Sequence, residues 1–139
     1  MMGKVFVAFA LMLSGLLFAL PTWAGSYLDR ASLLLDEARR EGDLLQPRTH
    51  DRELVLVIQA LAEARVKAAR KMECPAAVAK VHPHLLLVME NSERAADAAV
   101  QGNFKKFMEH LTAARNEERA FRAMLSQLGF TLPESESRR

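Results

Sequence analysis

Apolar residues in the second half of the chain recur at alternating steps of three and four. Val78, Val81, Leu85, Val88, Ala95 and Ala99 follow this spacing, with Ser92 filling one slot of the series. After Gly102-Asn103 a second series runs Phe104, Phe107, Leu111, Ala114, Glu118, Phe121, Leu125 and Leu128. Such steps keep side chains on one face of an α-helix. Two stripes joined by a Gly-Asn turn predict an antiparallel helical hairpin, with Gly102 closing the first helix and Asn103 capping the second. Each stripe carries one polar interruption, Ser92 in the first and Glu118 in the second.

The same spacing predicts two earlier helices. Leu28, Ala31, Leu35 and Ala38 share a face, which gives a first helix from Tyr27 to Arg40. Ser26 and Asp29 form a capping pattern at its start, and Gly42 is the expected stop. Gly42 to Thr49 then reads as the longest irregular link, with Leu44 and Leu45 folding back over the bundle end. A second helix is expected from Thr49 to Glu73. Leu54 to Ile58 alone could be a strand, but the helix-forming stretch Gln59 to Met72 decides for helix. Its stripe is Val55, Ile58, Ala62, Arg65, Ala69 and Met72, so Arg65 is a third interruption.

Pro75 and Pro83 each suit the first turn of a helical segment and not its interior. They predict either a short helix and a break or one kinked helix, followed by a third helix from Pro83 to Gln101. The fourth would end at Gly129, with Phe130 to Pro133 packing on the bundle. No strand is expected. Four helices with short links predict an all-α, up-down-up-down four-helix bundle over residues 25–132, followed by a disordered tail at 133–139. Phenylalanine appears only before residue 20 and from Phe104 onward, which suggests a central place for the fourth helix.

The first residues change the picture of where the chain goes. Lys4 precedes an unbroken apolar run from Val5 to Leu20, relieved by Ser14 and Gly15, and Pro21-Thr22-Trp23-Ala24 ends in a small residue. That is the anatomy of a cleavable signal peptide, 1–24. The run is shorter than the roughly 20 residues that span a bilayer, so no membrane anchor is expected after cleavage. The protein is thus expected to be exported, to a periplasm or the extracellular space. Cleavage removes only Lys4 from the 19 basic residues and none of the 17 acidic ones. A chain so nearly neutral lacks the concentrated positive field that nucleic-acid binding needs. Cys74 is the only cysteine, so no intramolecular disulfide can form.

Candidate chemistry is sparse. In size and expected architecture the chain is similar to small exported haem bundles of the cytochrome b562 and cytochrome c′ types. It lacks their ligands: Cys74 stands alone, helix 1 has no methionine, and His110 is early in helix 4 and beside the stripe. The turn Gln101-Gly102-Asn103-Phe104 resembles that of a tetratricopeptide unit, but no second copy occurs about 34 residues away. There is no Glu-x-x-His pair for a di-iron site, no Gly-x-Ser-x-Gly and no phosphate-binding glycine loop. Neither an enzyme nor a cofactor is therefore expected. Met72, Cys74, His82 and His84 lie within thirteen residues and are the candidate soft-metal ligands. The expected alternative is structural, with His82 capping helix 3, His84 solvated and Cys74 buried.

Buried charges must be paired. Arg65, Ser92 and Glu118 are therefore expected to meet in one structural polar layer, with Glu118 nearest Arg65. Function is expected to lie in a protein-interaction or structural role, through a protein partner or self-association. The candidate contact residues are Leu44, Leu45, Met89, Met108 and Met124. A metal or redox sensor at the Met72–His84 turn is the alternative.

Overall fold

The protein is described by a computed structural model that covers the backbone of residues 20–134 and the side chains of residues 24–134. These residues form four α-helices and no strand: α1 (Leu20–Leu45), α2 (Arg52–Lys71), α3 (His82–Val100) and α4 (Phe104–Gln127). Two short 3-10 turns, Gln46–Arg48 and Ala76–Val78, fill the first two links. The run Val5 to Leu20 lies outside the described residues save for its last position. No described helix is long and apolar enough to cross a membrane.

Local chemistry accounts for most helix ends. Asp51, not Thr49, caps α2, accepting the Leu54 N–H at 3.2 Å. Asn103 caps α4 by accepting the Lys106 N–H at 3.0 Å. Gly102 and Gly129 close α3 and α4 with φ of 70° and 82°, a region open to glycine at no steric cost. At each, the next residue bonds back five positions: Asn103 N–H to Ala98 O at 2.9 Å, and Phe130 N–H to Leu125 O at 3.0 Å. This satisfies carbonyls that the helix end would otherwise orphan. Pro83 lies in the first turn of α3, where its missing N–H costs nothing.

The first helix differs from expectation at both ends. It passes through Ser26 and through Gly42, and continues to Leu45. Gly42 is a contact, not a stop. A Cβ built there would stand 2.8 Å from Leu111 Cδ1 and 3.2 Å from Arg115 Nη2, so the ends of two α4 side chains lie against this glycine and would have to shift for a larger residue. The stripe Leu35, Ala38, Gly42, Leu45 keeps helical spacing throughout. Leu45 is consequently buried at 1 % exposure, whereas Leu44 points outward at 42 %.

Two apolar clusters make the core. One gathers Tyr27, Leu35, Val78, Val81, Leu85, Phe121 and Leu125, with Phe130 and Leu132 packed on it. The other gathers Leu45, Val55, Ile58, Ala95, Ala99, Phe107 and Leu111. The C-terminal segment is held on the first cluster, where Ser32 Oγ donates to Pro133 O at 3.1 Å. Of the tail expected at 133–139, residues 135–139 lie outside the described residues. The centre of the packing is α3, not α4: it lies against all three other helices, most extensively α4 and then α2. Ala95, Ala96, Ala98 and Ala99 let backbones approach it, while Phe107 and Phe121 of α4 are buried in the two clusters.

Candidate functional site

Arg39, Glu41, Arg65 and Ser92 lie where one apolar cluster gives way to the other. Arg65 falls between Ala62 and Val66, and Ser92 between Met89 and Ala95. The charges here are paired, but not as the spacing suggested. Glu118, 2 % exposed, takes Arg39 Nη2 on Oε2 at 2.7 Å. Its Oε1 accepts from Arg122 Nη2 at 3.0 Å and Nε at 3.2 Å. Arg115 stands 4.0 Å away and also bonds the Arg39 carbonyl at 3.1 Å and Asp43 at 2.8 Å. Burial pulls the Arg115 guanidinium below its ordinary pKa, Arg39 adds to this, and Asp43 and Glu118 oppose it.

Arg65 instead meets Glu41 of α1. Arg65 Nη1 and Glu41 Oε2 form a buried ion pair, and Arg65 Nε beside it has no hydrogen-bond partner. Burial raises the Glu41 pKa, outweighing the attraction of Arg65. Ser92 joins neither pair; its hydroxyl donates to Val88 O at 2.8 Å within its own helix. The expected Arg65–Glu118 pair is therefore replaced by two, because α1 runs between their helices. Arg39 and Glu41 are two residues apart, about 200° around a helix, and so serve opposite neighbours. Cavities of about 20 and 10 Å³ flank Ser92. Each has room for about one water and none for a substrate.

The turn between α2 and α3 does not assemble its candidate ligands. His82 Nδ1 is 2.9 Å from the Tyr27 hydroxyl of α1, with the rings edge-on at 5.7 Å. His84 Nδ1 is 2.7 Å from Glu117 Oε2 of α4, so His84 is paired and not simply solvated. Cys74 is half-buried, with Sγ 3.7 Å from Pro75 O, and Met72 packs on the first cluster. Among the described residues no three histidine, cysteine or acidic side chains converge. Burial lowers the His82 pKa, opposed by a hydrogen bond with the Ala69 backbone. It also pushes the Tyr27 hydroxyl well above its usual range, with Cys74 contributing. A neutral His82 accepting from Tyr27 fits both directions.

Contact residues expected on the surface are mostly inside. Met89 is 1 % exposed, Leu45 is buried, and Met108 and Met124 pack against the core clusters. The exposed apolar side chains concentrate elsewhere, on α1 and α2. Leu33 is 61 % exposed, Val57 57 %, Leu61 46 %, and Leu56 and Leu44 follow, while Leu87, Phe104 and Leu128 are exposed singly on α3 and at the two ends of α4. Between these helices runs an open groove of about 330 Å³, lined by Leu33, Leu34, Ala68 and Met72 with Arg30 and Lys71 at its rim. The sequence carried this signal in Val57, Leu61, Ala64 and Ala68, which repeat at helical spacing beside the core stripe. No protein family, curated protein or solved structure matches this chain.

Proposed function

We propose that this is an exported protein-interaction module, a four-helix bundle of up-down-up-down order whose working surface is the outer side of α1 and α2. The observation that carries the reading is the exposed apolar row on α2. Val57 and Leu61 are about half exposed, and Ala64 and Ala68 continue their line. The outer face of α4 at Lys105, Glu109, Thr112, Asn116 and Arg119 is polar by comparison. Single exposed apolar residues are ordinary, but a contiguous row marks a contact surface. Short links between successive helices favour the antiparallel order.

Export rests on Lys4, the apolar run Val5 to Leu20 and the small residue Ala24. A protein recovered from its source cells is then expected to begin at Gly25, and an intact mass that retains residues 1–24 overturns cleavage. The contact surface is tested by a photo-crosslinking amino acid at position 61 in the producing cells, with position 105 as the control. A discrete protein adduct from position 61 alone is expected. Absence of any adduct at 61 overturns the reading.

A further inference from the structure

The exposed row of α2 has the spacing of a helix-pairing seam. Leu54, Val57, Leu61, Ala64 and Ala68 follow steps of three, four, three and four. This mean of 3.5 residues is what keeps a seam facing a partner helix. Val57, Leu61, Ala64 and Ala68 are exposed beside the buried Val55, Ile58, Ala62 and Ala69, while Leu54 at the start of the row packs half-buried against the second core cluster. It is continuous with the apolar floor of the α1–α2 groove through Ala68.

The flank of the seam says what covers it. Along its outer edge, at steps of seven, stand Glu53, Ala60 and Lys67. Ala60 is the midpoint, with an acid seven residues before it and a base seven residues after. We propose that the partner is a second copy of this chain, its α2 laid antiparallel across the first with the two-fold axis near Ala60. This rests on the reading of the α1–α2 side as a contact surface.

The antiparallel arrangement sets Glu53 of each copy against Lys67 of the other, twice by symmetry. A parallel pair would put the two Glu53–Ala60–Lys67 edges on opposite flanks of the seam, out of reach of each other, so only the antiparallel order pairs these charges. The antiparallel order also sets Val57 against Leu61, and Leu54 against Ala64, so a larger side chain meets a smaller one at the latter layer. The alanines at 60, 64 and 68 permit close approach. Nothing in the monomer competes strongly for the charges. Glu53 makes no ion pair among the described residues, and Lys67 holds only Glu63 at 2.8 Å, an exposed pair on its own helix. Exposed pairs of that kind contribute little, so Lys67 is available to a second partner.

The test uses the full chain in its producing cells, with Cys74→Ser to remove the native thiol. Ala60→Cys in that background is expected to give a disulfide-linked species of twice the chain mass on mild oxidation. Lys105→Cys, on the far side, is expected to give none. Added to Ala60→Cys, Glu53→Lys or Lys67→Glu alone should cut the dimer yield several-fold, and the double reversal should restore it. Positions 53, 60, 67 and 105 are exposed and Cys74 is half-buried, and unchanged helical circular dichroism confirms that each variant folds. A yield indifferent to both single reversals, or one the double reversal fails to restore, overturns the antiparallel copy. No dimer from Ala60→Cys overturns it as well. In the position 61 crosslinking experiment, an adduct of some other mass overturns the second copy while leaving the contact surface standing; no adduct overturns both.

Discussion

Glu118 occupies a position on α4 where Ala114 and Phe121 on either side are apolar and buried. Its carboxylate has given up nearly all contact with water, and it is held by Arg39 and Arg122 with Arg115 close by. Removing its charge leaves three guanidinium groups facing one another around an amide. Breaking a fully buried pair costs about 3–5 kcal/mol. Arg39 and Arg122 are 44 % and 38 % exposed at the side chain, so both recover hydration when the carboxylate is lost. We therefore expect Glu118→Gln to lower stability by about 2 kcal/mol, read as a lower urea midpoint with an unchanged slope. A midpoint equal to that of the unaltered protein would sink this account. The burial of Glu118 was legible from its place in the stripe, but its partners were not. Periodicity says which way a side chain points; it does not choose between Arg39 and Arg65 on facing elements. Only Arg122, four residues on along the same helix, was readable from spacing alone.

At the scale of elements, the chain announces its helix ends where the end chemistry is local. Asn103 and the pair Gly102 and Gly129 act within one turn of their own position, so the α3–α4 hairpin was readable nearly to the residue. Pro83 restricts its own turn in the same way. Gly42 is the contrary case. A glycine after Arg39 and Arg40 resembles a helix stop, because glycine readily supplies the left-handed residue that ends many helices. Here the reason for glycine is 69 residues distant in sequence, at Leu111. Ending α1 at Arg40 also removed Glu41 from the helix, and with it the partner that Arg65 takes. One misread glycine thus accounts for both the shortened helix and the wrong ion pair. The signal that outweighs it is Leu45, which continues the stripe of Leu35 and Ala38 at the right spacing and is buried.

Across the whole molecule, two buried groups give opposite responses to acid. His82 ties α3 to α1 through Tyr27, and burial lowers its pKa below the ordinary 6.5. Between the folded value and 6.5 the unfolded chain binds more protons, so stability falls as pH drops through that window. Glu41 ties α1 to α2 at the boundary between the core clusters, and burial raises its pKa above 4.5. Between 4.5 and the raised value the folded chain binds more protons, so this group makes the protein more stable as pH drops. Acid therefore strains the Tyr27–His82 end of the molecule while easing its middle. From about pH 7 to about pH 5, His82→Gln is expected to flatten the decline of the urea midpoint, since glutamine can still accept from Tyr27 but does not titrate. Glu41→Gln is expected to steepen it, because it removes a response that, together with that of Glu93, offsets the histidine. The comparison depends on slopes and not on absolute stability, so the loss of the Arg65 contact in Glu41→Gln does not obscure it. Parallel profiles for His82→Gln and the unaltered chain would mean that His82 takes up a proton in the folded state as easily as in the unfolded one. In that case the contact with Tyr27 does not hold the imidazole neutral.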